Sequence, residues 1–365
     1  MKVIAEIGVN HDGDVNIALK MVDACKRVGA DYAKFQIFDP AKLVTARARR
    51  ATYQTQTVGA GSQFDMLKSL QLSYDDFRTL KAYCDDIGIA FLATPFDENS
   101  ACFLIDDLGC RTVKVGSGDM DNIPLLLLIA SKGVEMIVST GMATVDEIRR
   151  SVDAIAYGQI CYRNGTDPFA GGFPSLEMIT QAGRSSQEDG TLAAFLTLLH
   201  CTSEYPAHHP TLNMSAIVLL REVFHPIPIG FSDHSTDHVA AVMATTLGAT
   251  VIERHITYDK LAEGPDHAAS LDELEFARMM DRIEATVRAL GTGQKAPSGN
   301  ELALRGVARK RILAARSIKS GQILTLRDIV LKRSSEGRAA GDIFDVIGRA
   351  AAADMDIDDA ISTEI

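Results

Sequence analysis

The chain has 365 residues, of which 46% are hydrophobic and 23% charged, with a formal net charge of −11 and no Trp. Length and composition suit one large globular domain plus a small one, with enough apolar material for a sizeable core. The acidic balance and the lack of a long basic run argue against nucleic acid or an anionic membrane as principal partner, while a local cluster of Lys and His could still hold an anionic small molecule.

The first residues enter a strand-like run at once, without a signal peptide's apolar stretch and cleavage site. No apolar run is long enough to span a bilayer, so the reading is a cytoplasmic protein. Cys25, Cys84, Cys102, Cys110, Cys161 and Cys201 form no C-x-x-C pair or regular framework. They read as small buried hydrophobes in a reducing compartment. In chain order, residues 3–7 form a β-rich run ending in the turn Gly8-Val-Asn-His-Asp-Gly13. Residues 16–28 then place Ala18, Met21, Val22 and Cys25 on one helical face. Gly29 stops that helix and 32–37 is the next strand, which makes a βαβ unit. The segment 39–72 reads as a long loop over the strand ends with a short helix near 64–70. Ser73 and Asp76 open a cleaner helix that stops at Gly88.

The rhythm then repeats. Strands are expected at 89–94, 112–115 and 135–140, with helices at 98–108, 124–131 and 144–157, the last opened by Thr144 and Glu147. Residues 158–190 are rich in Gly, Ser, Asn and Gln and read as decoration rather than a lid, with a helical turn at 176–182. Strands at 192–201, 227–231 and 250–256 and helices at 213–223, 236–247 and 271–290 complete the pattern. Eight strands, mostly followed by helices, within about 290 residues match a (β/α)8 barrel. A doubly wound open sheet is the runner-up. The barrel is favoured because every strand ends in polar residues, not just one switch point. The organisation expected is an α/β barrel at 1–290, a Gly-Pro-Ser linker at 291–304 and a small β-rich domain at 305–365.

Taken as one surface, the strand ends contribute Glu6, Lys34, Gln36, Thr94, Lys114, Ser117, Ser139, Thr140, His200, Thr202, Ser203, Ser232, His234, Glu253 and His255, with Asp266 on the last loop. Lysines among hydroxyls cradle a phosphate or carboxylate, and the glycine amides of Val113-Lys-Val-Gly-Ser-Gly118 allow close approach of an anion. His234 and His255 lack the i, i+4 spacing of a helical zinc motif, so each comes from a separate strand, leaving open positions on a shared divalent metal. Such a metal would polarise a carbonyl. Glu6 and Asp266 are candidate general bases, and Glu6 equally suits a salt bridge to a lysine. His11 reads as a loop-shaping hydrogen bonder, His208 and His209 as exposed. On composition alone a Schiff-base aldolase, with one desolvated Lys and no metal, is the enzymatic rival.

Ala5-Glu-Ile-Gly-Val-Asn-His-Asp-Gly-Asp14, Lys34-Phe-Gln36, Thr94-Pro-Phe96, Lys114-Val-Gly-Ser-Gly118, Ser139-Thr-Gly-Met142, His200-Cys-Thr-Ser-Glu-Tyr-Pro206, Ser232-Asp-His234, Glu253-Arg-His255 and Gly264-Pro-Asp-His267 occur in that order. Together they resemble the sialic acid synthase family, which covers N-acetylneuraminate, legionaminic and pseudaminic acid synthases. The C-terminal segment resembles that family's SAF, or antifreeze-like, domain. The resemblance implies a transferase that condenses phosphoenolpyruvate with an N-acetylated amino sugar to a nine-carbon 2-keto acid and phosphate. It implies a divalent metal, Mn²⁺ before Mg²⁺ or Co²⁺, on His234 and His255. It also implies a phosphoenolpyruvate site at Lys34, Lys114, Ser139 and Ser232 with Thr94 and Ser117 nearby. Glu6 becomes the water-side base, Asp266 a sugar-hydroxyl contact, and Gln36 and Tyr205 sugar-side residues. Arg333 would reach a sugar site, and a homodimer would swap the small domain over the partner barrel.

The chain departs from the family pattern in places. Asp119 stands where many relatives carry Glu, Ser203-Glu204 replaces an Asn-containing version, and the Arg-Pro-Gly signature appears as Arg333-Ser-Ser-Glu-Gly337. The alternatives are another phosphoenolpyruvate-aldose synthase acting on a phosphorylated sugar, and a non-catalytic sugar-binding protein on the same scaffold. The latter predicts a damaged site, yet Lys34, Lys114, His234 and His255 are all present.

Overall fold

Alternation along each strand builds the molecule. The computed structural model describes residues 1–45, 47–48 and 61–363, so the middle of the loop expected at 39–72 lies outside the described residues. Two compact units divide the chain, Met1–Gly291 and Thr292–Ile365. In the first, β1 (Lys2–Gly8), β2 (Tyr32–Ile37), β3 (Ala90–Pro95), β4 (Thr112–Val115), β5 (Glu135–Ser139), β6 (Leu196–Cys201), β7 (Ile229–Asp233) and β8 (Val251–His255) pair in parallel in the order β3-β2-β1-β8-β7-β6-β5-β4. That order is the chain order bent into a ring. β3 and β4, consecutive in sequence, lie side by side at its seam, so the unit is a (β/α)8 barrel.

Inward-facing positions recur every second residue. Ile4, Leu92, Ile137, Leu199 and Val251 pack together inside the barrel. Two residues further along the same strands come Glu6, Thr94, Ser139, Cys201 and Glu253, the polar layer of the C-terminal mouth. The alternate set, including Ala5, Phe35, Val113, Val138 and Phe231, joins the outer core under the helices.

Those helices are α1 (Val15–Arg27) after β1, then α2 (Pro40–Leu43), α3 (Gln63–Leu70) and α4 (Tyr74–Ile87) after β2. α5 (Glu98–Cys102), continued by a π-helical turn at Phe103–Asp107, follows β3, and α6 (Ile123–Ala130) follows β4. α7 (Val145–Asn164) and α8 (Leu176–Asp189) follow β5, α9 (Ala216–Val223) follows β6, α10 (Val239–Thr246) follows β7 and α11 (Glu273–Leu290) follows β8. The reciprocal caps read from Ser73/Asp76 and Thr144/Glu147 are both formed. No helix among the described residues is long and apolar enough to cross a membrane.

The stretch at 158–190 is more ordered than its composition suggests. α7 runs straight through Gly158. A Cβ there would lie 2.6 Å from the Ala130 Cβ and 2.9 Å from the Leu127 carbonyl oxygen, so this glycine serves the α6–α7 crossing and does not end the helix. α8 buries Ile179 with Leu127 and Ala154, and Ser175 caps it by accepting from the Met178 amide. Only the link at 165–175 is irregular.

In the second unit, α12 (Gly299–Ala308) precedes an antiparallel pair, β9 (Lys310–Ala314) and β10 (Ile329–Arg333). Its core gathers Ile312, Ala314, Ile318, Leu324, Val346 and Met355. α12 starts inside the stretch read as linker, because Ser298 and Glu301 form a reciprocal cap that the Gly and Pro content obscured.

Candidate active site

Two lysines and two carboxylates meet at the barrel mouth with almost no access to water. Lys34, on β2, places Nζ 2.7 Å from Glu6 Oε2 and 3.6 Å from Glu253 Oε2, and donates to Thr94 Oγ1 at 3.3 Å. Lys114, on β4, donates to Ser139 Oγ at 2.7 Å and to the Val115 carbonyl at 3.1 Å, with Glu253 Oε1 3.6 Å away. Ser232 donates to Glu253 Oε1 at 3.0 Å, and Gln36 Nε2 donates to Glu6 Oε1 at 3.0 Å. Burial works against the charge on Lys34, but Glu253 and Glu6 outweigh it and hold the ammonium above its ordinary value. For Lys114 burial wins, and its pKa falls. Glu6 is pushed up by burial despite Lys34, whereas Glu253, between both lysines, is held below the usual carboxylate range against its burial. The salt-bridge reading of Glu6 therefore holds. Glu253, expected at the mouth but with no role of its own, is the residue that both lysines share. Its signal was its spacing: two residues before His255 on one strand, it faces the same way.

His234 follows β7 and His255 ends β8. Their ring centroids are 5.6 Å apart. His234 Nδ1 lies 2.9 Å from the Thr202 carbonyl, which can only accept. Nδ1 therefore carries a proton, and in the neutral ring Nε2 keeps a free lone pair, although, against burial, Cys201, the Thr202 carbonyl and Glu253 raise the pKa of this imidazole. His255 Nδ1 is buried with no hydrogen-bond partner among the described residues, and burial with the neighbouring His234 holds this imidazole well below its ordinary pKa, and so neutral. Among the described residues no set of three or more His, Cys, Asp or Glu is arranged to hold a metal. The two rings fit an ion that takes its other ligands from water or substrate. Tyr205 packs on them, its centroid 4.1 Å from His234 and 5.9 Å from His255. Cys201, read as core filler, lines the same cavity with Sγ 3.8 Å from His234 Nδ1. All six cysteines are free thiols.

The wall formed by the β4 and β5 loops depends on one glycine. A Cβ on Gly141 would meet Ser203 Oγ at 2.4 Å and Ser117 Oγ at 2.7 Å, and its amide donates to Ser117 Oγ at 3.1 Å. The next residue, Met142, has φ 65°, an unusual conformation for a side chain with a Cβ, and it hangs over the cavity. The cavity holds about 210 Å³ and is lined by Glu6, Lys34, Gln36, Thr94, Lys114, Ser117, Ser139, Ser203, Tyr205, Ser232, His234 and His255, with Glu253 and Cys201 added. Asp119 is set back from it, accepting from Asn122 Nδ2 at 3.0 Å. Arg333 ends β10 in the second unit. His200, expected at the mouth, faces the opposite way because Cys201 takes the inward position. Its Nε2 is 2.7 Å from the Leu212 carbonyl and its ring stacks on Phe231.

The Asn-His-Asp motif ties the first loop to the last. Asn10 Nδ2 donates to the Ile256 carbonyl at 2.9 Å and to Ser270 Oγ at 2.8 Å, and His267 joins Asp12 at 3.0 Å and Thr257 at 2.7 Å. Between these ties lies Asp266, whose pKa burial, and then Glu6, push up to about 6. A raised carboxyl keeps its proton in the folded state after the unfolded chain has lost it, so stability falls as pH rises from about 4 to about 6 and stays reduced above that. Asp266→Asn is expected to gain about 1–3 kcal/mol over the wild type at pH 7.5 and to lose that advantage near pH 4. Urea denaturation at both values checks this, and an equal difference at the two would refute the assignment.

Parallel strands that bring buried ammonium groups, hydroxyls and paired imidazoles to one rim define a (β/α)8 enzyme acting on a small anionic substrate. The NeuB family profile matches residues 21–295. The N,N'-diacetyllegionaminic acid synthase of Legionella pneumophila is 37% identical over 347 residues, covering 95% of this chain and 89% of that protein. The human N-acetylneuraminate-9-phosphate synthase is 32% identical, covering 100% of this chain and 92% of its own. Among solved structures, the N-acetylneuraminic acid synthetase of Leptospira borgpetersenii, in complex with citrate, superposes with a TM-score of 0.65 at 28% identity, covering 84% of this chain and 91% of that one. The chain belongs to the NeuB family, and with it to the synthases of sialic-acid-type sugar acids.

Proposed function

We propose that the protein condenses phosphoenolpyruvate with the aldehyde of an open-chain N-acylated amino sugar, releasing phosphate and a nine-carbon 2-keto acid. The observation that carries this reading is the joint placement of Lys34 and Lys114 with Thr94, Ser139 and Ser232 in one cavity, beside His234 and His255. The ammonium groups and hydroxyls hold the donor's phosphate and carboxylate. Carbon 3 of the donor forms a bond to the aldehyde carbon, whose oxygen takes a proton and becomes a hydroxyl. Water adds to carbon 2, giving up a proton toward Glu6. The C–O bond to phosphate then breaks, the remaining hydroxyl proton passes to the departing phosphate, and carbon 2 is left as the ketone. Gln36, Tyr205 and Ser203, which line the cavity, face the sugar, and Asp266, buried outside that lining, is assigned a sugar-hydroxyl contact. His234 and His255 would hold a divalent metal, Mn²⁺ before Mg²⁺ or Co²⁺, which when bound supplies Lewis-acid polarisation of the aldehyde.

The small unit is assigned the SAF-like role. In a homodimer it would bring Arg333 to the partner's sugar site; the support is its exposed Leu326 and Phe344, which suit a covered face. A monomeric mass in fully active solutions would remove that part. The main test mixes phosphoenolpyruvate and Mn²⁺ with a panel of mannosamine-, bacillosamine- and altrosamine-type N-acyl sugars. Phosphate release that requires all three components, with the matching product mass, is expected from at least one sugar. Silence across the panel would sink the reading.

A further inference from the structure

The active-site cavity does not end at its own wall. Ser117, Gly118 and Met142 also line a second hollow of about 240 Å³. Asp121 and Glu147 in turn line both that hollow and a third of about 450 Å³, closed on its far side by Phe173, Pro174 and Leu176. Through these shared residues the three hollows adjoin in series, from the site between the β4 and β5 loops out to the irregular link before α8, and this series is the trough. Its large apolar side chains are exposed: Met142 by 75%, Phe173 by 61% and Leu176 by 66%. Three large apolar side chains exposed together form a patch, and it lies along hollows that adjoin a reaction site. Phe169 stacks on Phe173 with centroids 6.3 Å apart, which backs that wall.

Position in the ring shows what reaches the trough. His234 and His255 stand at the ends of β7 and β8, and the trough leaves beside β4 and β5, across the eight-stranded ring. Met142 borders both the cavity that holds the imidazoles and the second hollow, so it stands on the way out for the far end of a sugar whose aldehyde sits at the imidazoles. The polar groups along the way are Asp121, Glu147 and a single guanidinium, Arg150. Two carboxylates against one cation disfavour a phosphate and suit an amide N–H. Beyond them the walls are apolar, and the outer hollow alone has room for on the order of fifteen waters, far more than an acetyl group fills.

We propose that the acceptor carries, at its end remote from the aldehyde, an uncharged acylamido group longer than acetyl, and that Met142, Phe173 and Leu176 are specificity-determining residues for it. The proposal rests on the condensation reading above and names its substrate more closely. The test measures kcat/KM with N-acetylmannosamine derivatives bearing acetamido, hexanoylamido or phosphate groups at carbon 6. In the wild type the hexanoylamido compound is expected to exceed the acetamido compound by about tenfold or more, and the phosphate to fall about tenfold or more below it. Phe173→Asp and Leu176→Asp should bring the hexanoylamido-to-acetamido ratio close to one. A hexanoylamido compound no better than the acetamido one in the wild type, or a preferred phosphate, overturns the proposal while leaving the condensation intact. Failure of every N-acyl sugar, the acetamido control included, removes both.

Discussion

Lys114→Met is expected to lower kcat/KM for phosphoenolpyruvate by about three orders of magnitude, the loss typical of removing a preorganised charge from a dry site. The two lysines are not equivalent. Lys34 has two carboxylates, at 2.7 and 3.6 Å, so its charge is already spent inside the protein. Lys114 has a hydroxyl, a carbonyl and one carboxylate oxygen at 3.6 Å, so it is the cation with capacity left for an incoming anion. Taking it away also leaves Glu253 with a single lysine and turns the floor of the cavity negative. The pH dependence follows from the same asymmetry. Only protonated Lys114 binds the anion, and burial lowers its pKa, so donor affinity should fall as pH rises, beginning below the range of an ordinary lysine. The Met variant should lack that alkaline limb. Calorimetric titration of donor binding across pH, with phosphate-release kinetics, checks both halves. A loss under tenfold, or an alkaline limb that survives in Lys114→Met, would mean that the anion is held elsewhere.

The mouth was legible in the sequence because a barrel strand writes its inward face at every second position. Glu6, Thr94, Ser139 and Ser232 each stand two residues beyond an inward-facing residue of their own strand, and reading the strand ends together recovers the lining of one cavity. The same rule, applied strictly, would have turned His200 outward and brought Cys201 inward. Distances were not legible. Nothing in the spacing of Lys34, Lys114 and Glu253 says that one carboxylate lies 3.6 Å from both lysines. Gly158 was misread because a glycine that lets two helices touch looks, in one dimension, like a glycine that ends a helix. The trough was hidden for a related reason: Phe173 and Leu176 sit in a polar stretch, and only the ordered α8 behind them makes them a wall.

Arg254 was hidden too, in the middle of the Glu253-Arg-His255 motif. It points to the outer face of β8, and its side chain is 1% exposed. Nη1 lies 2.8 Å from Asp233 Oδ2 and donates to Ser235 Oγ at 3.3 Å, while Nη2 donates to the Ser235 carbonyl. Asp233 in turn accepts from the Ser235 amide at 2.8 Å. The pair therefore clamps the turn that carries His234, and each member directly precedes one of the two imidazoles. Arg254→Met is expected to cost about 3–5 kcal/mol in urea denaturation, because it strands a buried carboxylate. The double variant Asp233→Asn with Arg254→Met should recover much of that loss, since removing both charges of a buried pair costs far less than removing one. Recovery of stability need not bring recovery of activity. The amide oxygen can still accept from the Ser235 N–H, but the thioether cannot donate to the Ser235 carbonyl and hydroxyl, so the double variant should fold well and still turn over slowly. A single variant within about 1 kcal/mol of the wild type would show the pair to be dispensable. A double variant no more stable than Arg254→Met would trace the cost to lost packing and not to a stranded charge.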